Sequence, residues 1–183
     1  MILLIILGII TLIIVYAVSI YNGLVKLKNQ AEEAWASIDV QLKRRHDLIP
    51  NLVETVKGYA GHEKETLTKV VEARNMAMQA GGNPEKRAEA ENFLTGTLKS
   101  LFALSESYPQ LKANENFLQL QNTLNEIEDN IQNARRYFNA VVRDLNIKIE
   151  SFPSNILAGI FNFKQKEYFE VDEKEKETVT VKF

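Results

Sequence analysis

The stretch KRRHDLIPNLVETVKGYAGHE, residues 43–63, sets apolar side chains at intervals of three and four, the spacing of one buried helix face. Two residues interrupt that pattern. Arg45 falls on the apolar stripe, three after Leu42 and four before Ile49, and Pro50 stands where a helix needs a backbone N–H. A buried guanidinium requires a partner, because an unpaired charge in a low-dielectric interior is strongly unfavourable. Pro50 removes the donor to the His46 carbonyl and predicts a kink. Both residues are therefore expected to act as structural devices, a register lock and a bend, rather than as a reaction centre.

Toward the N-terminus the same stripe continues through Ile38, Ala34, Ala31 and Leu27, so one helix is expected to reach residue 59 from the segment MILLIILGIITLIIVYAVSIYNGLV. That segment carries no charge before Lys26, and between Ile2 and Ile20 only Gly8, Thr11, Tyr16 and Ser19 break the aliphatic run. A hydrocarbon core of about 30 Å is crossed by roughly 20 helical residues, which this run supplies. No basic residue precedes it and the apolar stretch exceeds a signal-peptide core, so an uncleaved single-pass anchor over residues 1–23 is expected. Lys26 and Lys28 follow the span, and the positive-inside tendency places the rest of the chain in the cytoplasm at the cell membrane.

Toward the C-terminus, Leu67, Val70, Val71, Arg74, Ala77 and Met78 predict a shorter helix ending at Gly81-Gly82. Asn83-Pro84-Glu85 offers an N-cap, a proline in the first turn and an acidic start for a third helix, which stops near Tyr108-Pro109. A fourth stripe runs from Phe117 through Ile127 and Phe138 to Ile149 without glycine or proline. The expected fold is all-α: a transmembrane helix continuing into an antiparallel, up-down-up-down four-helix bundle over residues 24–150. A tail over 151–183 completes the chain. Its first part is rich in apolar residues, among them Phe152, Ile160, Phe161 and Phe163, and either caps the bundle or lies on the membrane surface. Its last part alternates like a strand over 178–183 and could pair with 168–171 as a small hairpin, or with a neighbouring chain.

Glu128, midway along the fourth stripe, is the expected partner of Arg45, with Arg135 and Arg74 extending the polar network. The two histidines give no metal signature, because HEKET at His62 lacks the second histidine of a zinc helix and His46 lies sixteen residues away. There are no cysteines, hence no disulfide or thiolate site, and no glycine-rich phosphate loop. Lysine and arginine total 22 against 24 acidic residues, which argues against nucleic-acid binding through an extended basic face. No nucleophile–base set or paired-carboxylate spacing stands out. No catalytic, cofactor-binding or metal-binding residue is therefore assigned.

Four segments together resemble the LemA family: YNGLVKL at 21–27, AWASIDVQLKRRHDLIPNLVETVKGYAGHE at 34–63, SYPQLKANENFLQLQNTLNEIEDNIQNARRYFN at 107–139 and SFPSNILAGIFNF at 151–163. The resemblance implies a membrane-anchored, cytoplasm-facing helical bundle and no established reaction. Phe138 and Leu145 stand where tyrosine is common in that family, so a role for those hydroxyls has no residue here. The expected function is a non-enzymatic scaffold that touches the bilayer through residues 2–20 and assembles with itself or with a membrane protein. A ligand-sensing or hydrolytic bundle using Arg45, Glu128 and the histidines His46 and His62 around an internal cavity, and a membrane-shaping protein, are the alternatives.

Overall fold

The computed structural model of the protein describes residues 1–169. They form six helices: α1 (Ile2–Ala60), α2 (Lys64–Gln79), α3 (Pro84–Ser105), α4 (Pro109–Lys112), α5 (Glu115–Glu150) and α6 (Ser154–Ile160). No strand occurs among the described residues, and the hairpin expected over 168–171 and 178–183 lies, apart from residues 168 and 169, outside them.

Local chemistry sets the helix boundaries. α1 is a single helix of 59 residues that runs on through Pro50. Its first turns are exposed on every face and are long and apolar enough to cross a membrane. α2 ends before Gly81-Gly82, where two residues without side chains favour an irregular backbone. The Asn83 side chain accepts from the Lys86 N–H at 3.1 Å and opens α3, while Pro84 occupies the first turn, where its missing N–H breaks no helical bond. Asn114 does the same for α5, accepting from the Phe117 N–H at 2.9 Å. Its amide also donates to the Tyr59 hydroxyl at 3.0 Å, tying the start of α5 to the last turn of α1.

The chain divides into two compact units. One comprises Ile38–Arg135 together with Phe169. Its core joins Leu52 and Val56 of α1, Val70 of α2, Leu98 and Leu101 of α3, and Phe117 and Leu124 of α5. Leu111 of the four-residue α4 is fully buried in the same cluster, so this short turn plugs the core between α3 and α5. Each large side chain removed from water here contributes roughly 1.5–3 kcal/mol.

The other unit comprises Met1–Ser37 and Arg136–Tyr168. Leu24, Leu145 and Ala158 are buried against one another, with Ile20, Leu27, Ile149 and Phe163 around them. Leu145 is thus a core residue, and Phe138 packs its ring 5.3 Å from that of Trp35. The segment after α6 is held by backbone pairing: the Asn146 amide donates to the Lys166 carbonyl at 2.9 Å and accepts from its N–H at 3.0 Å. α6 ends in a two-bond C-terminal cap. The Phe163 N–H bonds the Ala158 carbonyl at 2.9 Å, the Asn162 N–H bonds that of Gly159 at 3.2 Å, and Asn162 takes the left-handed conformation at φ 57°. Phe163 then falls back on the cluster that holds Ala158, the apolar contact that accompanies this cap.

Asparagine tolerates the left-handed region and branched residues do not. Asn162→Val is therefore expected to lose about 1–2 kcal/mol of stability, and Asn162→Gly to lose none. Denaturant unfolding of the full chain in detergent, followed by helical circular dichroism, checks this; equal losses for the two substitutions would contradict the cap.

A buried charge cluster as the candidate functional site

Arg45 has no solvent exposure, although its neighbours along the stripe are aliphatic. Its Nη2 bonds the Glu91 carboxylate of α3 and, at 3.3 Å, the Glu91 backbone carbonyl. Nη1 bonds the Glu128 carboxylate of α5 and, at 2.8 Å, the Thr95 hydroxyl. Thr95 in turn donates to the Glu91 carbonyl at 3.1 Å, one turn back along α3. A single guanidinium on α1 thus reaches side chains on α3 and α5, and its planar fork of donors suits two carboxylates at once. Only its buried Nε lacks a hydrogen-bond partner.

His46 completes the cluster. Its Nε2 lies 3.1 and 3.3 Å from the two Glu91 carboxylate oxygens. An ionised carboxylate only accepts, so the ring must carry hydrogen at Nε2 to bond it. Burial pushes the Glu91 carboxyl up, but the hydrogen bond from His46 and the charge of Arg45 outweigh that effect and hold it below its ordinary value. Glu91 is therefore an anion enclosed by two donors, whereas the Glu128 side chain is 27% exposed and reaches water.

Pro50 and Arg74 belong to one arrangement. The proline leaves the His46 carbonyl without its helical donor, and Arg74 Nε of α2 donates to that carbonyl at 2.8 Å. Arg74 enters the site through backbone, on the far side of the same residue whose ring bonds Glu91. Arg135 of α5 donates to the Asn92 side chain at 3.1 Å and lies 4.5 Å over the buried Phe169 ring. Glu91 and Thr95 are site residues that the sequence pattern does not single out. Glu91 carries a signal all the same, because it lies three residues before Leu94 on the α3 stripe, as Arg45 lies three after Leu42 on that of α1.

The remaining sequence-singled residues lie elsewhere. His62 is exposed, and Glu63 accepts from the Tyr108 hydroxyl at 3.0 Å. No group of three or more histidine, aspartate or glutamate side chains among the described residues could hold a metal ion. Of the four apolar tail residues, Phe152, Ile160 and Phe161 are exposed and Phe163 turns into the α6 cluster; Ile156 joins the exposed set.

These observations define a class: an all-helical protein with one long apolar N-terminal helix, whose core is crossed by a buried arginine–carboxylate cluster. The chain belongs to the LemA family, whose model matches residues 34–183. It is 27% identical to the LemA protein of Metamycoplasma hominis over 155 positions, covering 85% of this chain and 71% of that one. It is also similar to magnetosome protein MamQ 2 of Paramagnetospirillum magneticum, at 25% identity over 175 positions and 82% of this chain. Magnetosome protein MamQ of Magnetospirillum gryphiswaldense is 26% identical over 174 positions and 81% of this chain. The chain spans 64% of the length of each of these magnetosome relatives.

Arg74→Met is expected to cost about 1.5–3 kcal/mol, the worth of a charged hydrogen bond to an otherwise orphaned carbonyl. In a Pro50→Ala background the restored N–H replaces Arg74, and the same substitution should cost less than half as much. A thermodynamic cycle over the four proteins measures the coupling; equal costs in both backgrounds would contradict the pairing. The Glu91 carboxyl is depressed in the folded state, so its contribution to stability is complete above the ordinary value of 4.5 and is lost as pH falls through the folded value. Unfolding midpoints taken from about pH 7 down to about pH 3 should fall more steeply for the wild type than for Glu91→Gln.

Proposed function

We propose that the chain is a single-pass, membrane-anchored scaffold without catalytic activity, in which residues 2–20 cross the bilayer and the remainder faces the cytoplasm. In this reading α1, α2, α3 and α5 form an up-down-up-down bundle over residues 24–150, and the bundle presents its outer faces to further copies or to a membrane protein. The observation that carries it is the continuity of α1, one unbroken helix from a fully exposed apolar run to a core fixed by Arg45.

Contact order supports the opposed direction of α1 and α5. Within one unit Leu24 packs with Leu145 and Trp35 with Phe138; within the other, Arg45 bonds Glu128 and Asn114 bonds Tyr59. In each unit, taken by itself, the later residue of α1 meets the earlier residue of α5. The scaffold role draws on how the polar core is used. Arg45, Glu91 and His46 are buried and bond one another, an arrangement suited to holding helices in place rather than to meeting a substrate. Val71 and Met78, seven residues apart on α2, are exposed apolar side chains on a single helix face and suit a packing contact.

The full chain is expected to resist extraction by alkaline carbonate and to run as a multimer in mild detergent by light scattering. Val71→Lys with Met78→Lys should lower its mass toward that of one chain without loss of helicity. A discrete monomer already in the wild type, with no co-purifying protein, would count against the scaffold.

A further inference from the structure

In the unit formed by Met1–Ser37 and Arg136–Tyr168 there is a cleft of about 580 Å³. Its lining combines three lysines, Lys28, Lys164 and Lys166, with three aromatic rings, Tyr21, Phe161 and Phe163. Two aromatic contacts join its rings, with the Tyr21 ring 4.7 Å from Phe161 and 5.9 Å from Phe163. The lysine charges are largely unspent. Among the described residues neither Lys28 nor Lys164 has a carboxylate partner, and Lys166 reaches Glu32 only at 3.8 Å. We infer that this cleft binds the headgroup of an anionic phospholipid, with the lysines on its phosphate and the aromatic rings against its glycerol and upper acyl chain.

Depth along α1 argues for a lipid. Tyr21 follows directly on the apolar run, and Lys28 lies seven residues further, about 10 Å along the helix axis. A bilayer of 40–45 Å with a hydrocarbon core of about 30 Å has headgroup layers of roughly 5–8 Å each. Helical side chains lean toward the N-terminus, so Lys28 leans back toward that layer, and its flexible stem lets the ammonium reach the phosphate level. α6 shares a cluster with Leu24 of α1, and Phe152 just before it (80%) and Ile156 (54%) and Ile160 (68%) within it are exposed apolar side chains that suit the boundary between headgroups and chains. A free anion would use the lysines and leave the aromatic rings without a partner. A choline headgroup would bring its own cation against three ammonium groups. A singly negative headgroup such as that of phosphatidylglycerol meets both the lysines and the rings.

The inference rests on residues 2–20 lying in a bilayer, and the test separates the two. The full chain is reconstituted in vesicles of equimolar phosphatidylcholine and phosphatidylglycerol, washed with alkaline carbonate, extracted in mild detergent, and its retained lipid counted by native mass spectrometry. Wild-type protein is expected to retain one phosphatidylglycerol in at least about tenfold excess over phosphatidylcholine. The Lys28→Gln, Lys164→Gln, Lys166→Gln variant should lose that excess, and the matching triple arginine variant should keep it. Equal retention of the two lipids, or an excess that survives the glutamine variant, would overturn the site while leaving the anchor intact. Displacement of the lipid by millimolar inorganic phosphate would assign the cleft to a free anion and overturn the lipid assignment. Release of the protein by the carbonate wash would overturn the anchor and the site together.

Discussion

A guanidinium with no exposure to water must find its counter-charges inside the protein, and Arg45 finds them on two other helices. Glu91 bonds it from α3 and Glu128 from α5, with Thr95 and a backbone carbonyl taking up its remaining reach. The geometry leaves little freedom, because a shift of one residue along α1 would remove Arg45 from both carboxylates and bury it unpaired. Apolar side chains of similar size slide past one another at small cost; a forked ion pair does not. The aliphatic core around Leu52, Leu98 and Leu124 supplies most of the burial, while the cluster decides which turn of each helix faces which.

The same segment of α1 carries a second constraint. Pro50 deprives the His46 carbonyl of its helical bond, and Arg74 supplies the replacement from α2. His46 is therefore held twice, by its carbonyl toward α2 and by its ring toward Glu91 of α3. Two features that read as irregularities in a helix, a charge on the apolar face and a proline in the middle, each link α1 to other helices. A core tied in this way is suited to presenting a fixed outer surface, which is what the scaffold proposal requires.

Much of the helical architecture is legible in the amino-acid sequence because long amphipathic stripes report their own period. The boundaries at Asn83-Pro84 and Gly81-Gly82 are likewise written in residues with strong local preferences. α4 and α6, of four and seven residues, escape notice because neither is long enough to show a period. The path of the tail is hidden for another reason. Asn146 grips the backbone of Lys166, and a side chain that pairs with backbone twenty residues away leaves no pattern in sequence. Arg45 announces itself as a charge on a stripe, but its partners are a matter of tertiary packing. Glu91 lies on the α3 stripe, yet a glutamate in a helix is ordinary until its face is known. Arg74 could not be matched to the carbonyl freed by Pro50, since nothing local connects residues 74 and 46.

Helix register depends most directly on the charge pair between Arg45 and Glu91, and a thermodynamic cycle on the full chain with Arg45→Met and Glu91→Met tests it. Each single substitution strips a buried charge of one of its two partners and should cost about 3–5 kcal/mol. The double substitution leaves the partly exposed Glu128 and the His46 ring without their partners and should cost no more than either single one. Small losses that simply add would mean that Arg45 does not hold the helices in register, and would contradict the account at its centre.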